Sequence, residues 1–242
     1  MGDRARERFA QIVDGPEAGI DVAEAALWIA AEARPGLDVA AYRARLAALA
    51  ERARLGFAGA GSGVERARSL TRFLHDEVGL RGNRDDYYDP CNSYLCDVLD
   101  RGLGIPITLS IAWIDVARRL GLRAEGVAFP GHFLVLVEPE EPEPEVVVDP
   151  FFGRLPSERE CRALLAQAFG GGAAWRPELL AAARPREILA RLLRNLLAIH
   201  ARRGELASAL ACCDRIALVD PDGAGEMHAL AAELRQRLRR LH

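Results

Sequence analysis

The chain has 242 residues, half of them hydrophobic and 28% charged, with a formal net charge of -3. That is enough apolar material for a generous core without metals or disulfides, and the acidic balance argues against nucleic acid or an anionic membrane as the main partner. Apart from histidine, every basic side chain is arginine, so a lysine Schiff base or lysine general base is excluded.

In chain order, Met1 to Ile20 is charged and lacks an apolar run of signal-peptide length, and no later stretch approaches the ~20 apolar residues that span a bilayer. A cytoplasmic protein without a membrane partner is expected. Apolar residues then recur at helical spacing from Val22 to Ala33 and from Val39 to Arg54, with Asp21 and Asp38 as N-caps and Pro35-Gly36 between the two helices. Gly56 to Gly63 reads as a flexible connector, after which Val64 to Val78 resumes a helix that Gly79 ends.

The polar run Arg81 to Asp89 has turn chemistry, and Ser93 to Leu99 reads as a short helix closed by Gly102 and Gly104. Ile105 to Leu120 follows as a long buried helix opened by Pro106 and closed by Arg118, Arg119 and Gly121. Three strands are expected at Arg123 to Ala128, Phe133 to Val137 and Val146 to Val148. The acidic, proline-rich run Glu138 to Glu145 joins the last two and should project into solvent.

Beyond Gly170 to Gly172, helices are expected at Arg186 to Arg202, Leu206 to Val219 and Gly225 to Leu241. Leu193, Leu196, Ala209 and Ile216 stand where a 34-residue tetratricopeptide unit places its packing residues. A helical pair that simply caps the core fits the same pattern. The chain is thus expected to divide into an N-terminal helical segment (1–62), a core (63–178) and C-terminal tetratricopeptide-like helices (179–242).

Cys91, Cys96, Cys161, Cys212 and Cys213 form no CxxC pair and read as free thiols. Asp85 and Asp86 have no His or Cys at a ligand spacing, so neither a metal nor another cofactor is expected. Of five histidines, His132 stands out, because Phe129-Pro130-Gly131-His132-Phe133 puts an imidazole at the start of a strand after a Pro-Gly turn. Asp149 ends the next strand, 17 positions on. Across a hairpin the carboxylate could fix the imidazole tautomer and stabilise its cation, or merely tie two strands together.

The order of helix, strand with His and strand with Asp resembles the transglutaminase-like superfamily, and within it the bacterial SirB-type proteins that carry a tetratricopeptide tail. The matching stretches are Arg81-Gly82-Asn83 through Asp89-Pro90, Asn92-Ser93, Gly104 to Ser110, Val116 to Leu122, Gly126-Val127, Pro130 to Leu134 and Asp149-Pro150-Phe151.

The resemblance implies an α+β fold: a papain-like core with a helix packed on a small antiparallel sheet, flanked by N-terminal helices and a C-terminal repeat-like segment. It also implies that His132 and Asp149 match the superfamily's catalytic histidine and aspartate. A catalytic cysteine belongs at the N-terminus of the core helix, where the helix dipole and an imidazolium hold a thiolate. By register Pro106 occupies that position.

Cys91, Cys96, Thr108 and Ser110 are the substitute nucleophiles within reach of the same segment, each with an ordinary structural role as its alternative. Tyr88, Asn92, Ser93 and Phe129 are the expected binding residues, with Asn92 either a polar anchor or an Asx cap. Two functions follow as expectations: a diverged domain that binds a peptide or protein, or a hydrolase or acyltransferase whose nucleophile has moved.

Overall fold

The computed structural model describes residues 2–57, 59, 61–138, 144–170 and 173–240. Parts of the expected Gly56–Gly63 connector, of the acidic loop and of the Gly170–Gly172 boundary, as well as Leu241, lie outside the described residues. The helices are α1 (Gly2–Asp14), α2 (Val22–Ala33), α3 (Val39–Phe57), α4 (Gly63–Arg72), α5 (Leu95–Arg101), α6 (Pro106–Arg119), α7 (Glu158–Phe169), α8 (Pro185–Arg203), α9 (Leu206–Val219) and α10 (Ala224–Arg239). The strands are β1 (Arg81–Gly82), β2 (Leu103–Gly104), β3 (Arg123–Val127), β4 (Leu134–Glu138) and β5 (Val146–Val148). The fold is α+β and mostly helical, as expected. Among the described residues no helix is long and apolar enough to cross a membrane.

Two helices join those expected from the sequence. α1 buries Ala5, Phe9 and Val13, one per turn. α7 opens on a capping box, with the Glu160 N–H donating to Ser157 Oγ at 3.4 Å and the Ser157 N–H to Glu160 Oε2 at 2.8 Å. The expected helix at Val64–Val78 is α4 continued by a π-helical turn over Phe73–Glu77. The short helix starts at Leu95 rather than Ser93, because the Ser93 N–H closes a 3₁₀ turn on the Pro90 carbonyl.

Where the sequence divides the chain into three consecutive segments, the fold clusters it into two discontinuous units. One joins residues 1–39, 88–96 and 184–242. Within it α8, α9 and α10 pack in succession, α1 packs on α2 and α9, and α2 packs on α8. Leu193, Leu196, Ala209 and Ile216 are all fully buried there. Arg186 stitches the end of α1 to the start of α8, donating to the Val13 and Gly15 carbonyls at 2.8 and 2.7 Å and pairing with Glu17. Orphan carbonyls at a helix end are thereby satisfied. Arg215 is buried beside the Phe9 ring and paired with Glu32; burial first, and Arg6 second, push its guanidinium down to about 10, so it stays charged at neutral pH.

The other unit joins residues 40–87 and 97–183. β3, β4 and β5 form an antiparallel sheet in that order, with Val127 opposite Leu134 and Val135 opposite Val148. α6 packs on β3 and β4, and α4 packs on β4 and β5. Leu134 and Leu136, alternating along β4 with Val135 and Val137, join a cluster with Val127, Phe129, Cys161 and Leu165. Because both faces are covered, β4 is an unbroken buried run from Leu134 to Val137. β1 and β2 form a separate parallel pair, Gly82 opposite Gly104.

Candidate active site

Two turns bring His132 and Asp149 together. The first joins β3 to β4: the Phe129 N–H bonds the Val127 carbonyl, and the His132 N–H bonds the Phe129 carbonyl at 3.0 Å. His132 therefore sits in the turn, just ahead of β4, rather than within the strand. The second turn runs from Asp149 to Arg154 and is closed by two backbone hydrogen bonds between those residues, at 2.8 and 3.2 Å. The register that pairs Val135 with Val148 sets Asp149 one step beyond β5, at the Leu134 end of the sheet.

There His132 Nε2 lies 2.9 Å from Asp149 Oδ1. The Asp149 side chain is fully buried and the His132 side chain is 10% exposed. A carboxylate only accepts hydrogen bonds, so this contact puts the imidazole proton on Nε2 and leaves Nδ1 as the basic nitrogen of the neutral ring. That assignment follows from the hydrogen-bond pattern.

The second turn also supplies an aromatic wall. The Phe152 ring stacks on His132 at 5.9 Å and 29°, and the Phe151 ring meets it edge-on at 5.9 Å and 87°. Phe151 in turn touches Phe152 and Tyr87. Tyr87 and Phe152 are each 40% exposed, so part of each ring reaches the surface, Phe152 on the imidazole and Tyr87 one ring further out. Arg154 lies over the Phe152 ring at 5.0 Å. On the opposite side, Gly153 takes φ +63° and packs against the His75 ring, where no side chain could fit.

β1 connects this turn to the start of α6. The Gly82 N–H donates to the Phe151 carbonyl at 3.0 Å, while the flanking Arg81 and Asn83 N–H groups donate to Gly102 and Gly104. β1 thus lies between the turn and β2, whose chain runs on through Ile105 into Pro106, the first residue of α6. Proline suits that position because its missing N–H would have no helical partner there.

The candidate nucleophiles fall in different surroundings. Thr108 is fully buried; its hydroxyl donates to the Ile105 carbonyl at 3.1 Å and accepts from the Ile105 N–H at 3.2 Å, a cap on α6. Ser110 is fully buried and its Oγ has no hydrogen-bond partner among the described residues. Cys96 is buried. Cys91 is half-buried in the helical unit, where Arg34 Nη2 approaches its sulfur to 3.5 Å. Cys161 is buried under the sheet, and its thiol is pushed up to about 11 by burial first and by the Asp149 carboxylate second, which makes it a poor nucleophile.

Of the expected binding residues, Phe129 is fully buried against Trp175, at 6.3 Å between rings. Asn92, Ser93 and Tyr88 belong to the helical unit; Asn92 and Ser93 are buried, whereas Tyr88 is exposed with Arg202 over its ring. Asp89 caps the 3₁₀ turn at Pro90–Asn92, accepting from the Cys91 N–H at 3.0 Å. Nearby, Tyr94 Oη and Glu205 Oε2 bracket the buried His200 ring at 2.9 and 2.6 Å. The residues that sequence reasoning did not place around His132 are Phe152, stacked on its ring, and Arg154, beside Asp149; the run that begins at Tyr87 is expected to line a pocket there, and Tyr87 stands one ring away, against Phe151. The signal for Phe152 and Arg154 was Asp-Pro-Phe-Phe-Gly-Arg itself, a turn with a positive-φ glycine. Among the described residues no group of three or more His, Cys, Asp or Glu could hold a metal ion.

Residues 40–194 match the family model described as "Transglutaminase-like superfamily". The chain is 38% identical over 201 residues to a UPF0162 protein of Xylella fastidiosa, covering 81% of this chain and 71% of that protein. It is 36% identical over 213 residues to a UPF0162 protein of Pseudomonas aeruginosa, covering 88% and 77%. A third relative, mouse F-box only protein 21, is 33% identical over 143 residues, covering 56% of this chain and 22% of that protein. No solved structure matches. On the family model and these identities, the chain belongs to the transglutaminase-like superfamily.

Proposed function

We propose that this is a diverged transglutaminase-like domain that keeps its imidazole–carboxylate pair, lacks the cysteine nucleophile and binds a peptide or protein segment. The observation that carries the reading is Pro106 as the first residue of α6, the position at which the superfamily's nucleophile stands by register. A pyrrolidine ring has no nucleophilic atom. The neighbouring hydroxyls do not replace it readily, since that of Thr108 is spent on capping the helix and Ser110 is fully buried.

The partly exposed Phe152 on His132, and Tyr87 beyond it against Phe151, supply apolar contact area near a polar centre, the composition of a peptide-binding surface. Occurrence of the same domain as 22% of F-box only protein 21 supports its reading as a module. The tetratricopeptide-like packing of α8 and α9 offers a second contact surface.

The alternative, a hydrolase or acyltransferase with its nucleophile moved to Cys91, Cys96, Thr108 or Ser110, draws on the retained His132–Asp149 contact of 2.9 Å. The two readings separate in one assay: ammonia release from glutamine peptides, with and without a primary amine. Binding alone predicts no turnover above buffer. Turnover that His132→Ala abolishes establishes the alternative. In parallel, a displayed peptide library should yield binders whose retention falls in Tyr87→Ala and Phe152→Ala.

A further inference from the structure

Asp149 is fully buried, and while Oδ1 meets His132, Oδ2 has no hydrogen-bond partner among the described residues. An unsatisfied buried carboxylate oxygen is costly unless charge compensates it. The nearest compensation is Arg154, whose Nε lies 3.7 Å from Oδ2 and is itself buried without a hydrogen-bond partner among the described residues. That separation is too long for a hydrogen bond and within ion-pair reach of the buried oxygen, with the 39%-exposed arginine side chain partly screened by water.

The rest of the Arg154 side chain is fixed by other means. Its guanidinium lies over Phe152 at 5.0 Å, and Nη1 is 3.5 Å from Glu160 Oε1 on α7. Its backbone closes the turn on Asp149. One arginine therefore touches the carboxylate's unused oxygen, the exposed ring of the aromatic wall and the turn that carries both.

We infer that Arg154 is a positioning residue for the His132–Asp149 pair: its guanidinium beside Oδ2 holds the carboxylate with Oδ1 on the ring and so locks the imidazole in the Nε2–H tautomer, with Nδ1 as its acceptor. This rests on the reading of that pair as the retained centre. The proton balance shows what the lock prevents. Without Arg154 nothing holds Oδ1 on Nε2, the carboxylate can turn away, and the neutral ring can exchange tautomer through solvent, Nε2 giving up one proton and Nδ1 taking up one. The basic nitrogen then faces Asp149, and the centre presents a donor where it had presented an acceptor. Since the same guanidinium covers Phe152, loss of Arg154 also frees the ring stacked on His132.

The test uses the full chain labelled with ¹⁵N and long-range ¹H–¹⁵N correlation of the His132 ring, at a pH where the imidazole is neutral. In the parent protein the two ring nitrogens should give the widely separated shifts of a single Nε2–H tautomer. Arg154→Gln should exchange the pattern or collapse it toward the mean of two tautomers. Arg154→Lys, which restores a charge near Oδ2, should recover the parent pattern at least in part. Glu160→Gln, which removes the other ion-pair partner, should leave it unchanged. Should Arg154→Gln not fold, Arg154→Met, which keeps an unbranched stem over Phe152 and removes the charge, makes the same measurement.

Parent shifts retained in folded Arg154→Gln, or in Arg154→Met if that variant has to replace it, would overturn the inference. The readout needs neither a substrate nor a partner, so it stands or falls separately from the peptide-binding reading, which the turnover and display experiments decide.

Discussion

A Cβ on Gly82 would lie 2.5 Å from the Phe151 ring, and the Gly82 N–H donates to the Phe151 carbonyl at 3.0 Å. The ring cannot simply swing aside, because it also meets His132, Phe152 and Tyr87. Gly82→Ala should therefore cost about 1–3 kcal/mol of overpacking and disturb the ring contacts of His132. Urea unfolding gives the first number and the His132 ring resonances report the second.

The Thr108 hydroxyl accepts from and donates to the backbone of Ile105 inside the core. Thr108→Val keeps the shape and removes both bonds, leaving a buried N–H unpaired at the head of α6. A loss of about 1–2 kcal/mol is expected. If Thr108 were instead a nucleophile, Thr108→Val would abolish any His132-dependent turnover, so measuring both stability and turnover separates the two roles.

Trp113 Nε1 donates to Thr71 Oγ1 at 3.2 Å, and Thr71 passes its own proton to the Ala67 carbonyl at 2.7 Å on α4. The indole and the hydroxyl are both buried. Thr71→Val should leave the indole N–H without its acceptor and destabilise the fold by about 1–3 kcal/mol. Trp113→Phe in the Thr71→Val background should cost less than Trp113→Phe alone, the non-additivity of a broken pair.

Burial raises the Cys161 thiol from 9.0 to about 11, with Asp149 adding to the effect. The folded state thus favours the protonated thiol. That preference is fully present below pH 9 and is lost as pH climbs through 11, so urea stability should fall across this window. Cys161→Ala should remove part of the fall, while Cys212 and Cys213, also raised by burial, keep the remainder. At pH 8 native Cys161 should react with iodoacetamide far more slowly than the unfolded chain's thiols.

The helices and the sheet were legible because their signals are local. Helical periodicity, the Asp21 cap and Pro106 at a first helical turn mark α2 and α6, and β-branched runs mark β3 to β5. α7 carried an equally local signature in Ser157 and Glu160 but follows a turn with little periodicity of its own. The start of α5 shifted from Ser93 to Leu95 because Asp89-Pro90 imposes a 3₁₀ turn first.

His132 could be singled out by the Pro-Gly turn before it, and Asp149 could be matched to it through the resemblance to the transglutaminase-like superfamily. What surrounds them could not. The stacking of Phe152, the edge contact of Phe151, the approach of Arg154 to Oδ2 and the packing of Gly82 beneath Phe151 depend on a turn closing on itself and on a two-residue strand too short to have a period. Likewise, Phe129 looked like part of a binding wall and proved to be core, since one residue of difference along a turn decides which face a side chain takes.

By itself the sequence determined most of the secondary elements, which rest on propensities and spacings within a few residues, and through its resemblance to a family the α+β class and a histidine–aspartate pair. The tertiary structure alone decided the grouping of residues 1–39 with 184–242, the burial of each hydroxyl and thiol, and the neighbours of His132. Those depend on contacts between residues far apart in the chain, and burial, which sets whether a side chain is a nucleophile, a cap or a core filler, is a property of the packed fold rather than of any segment.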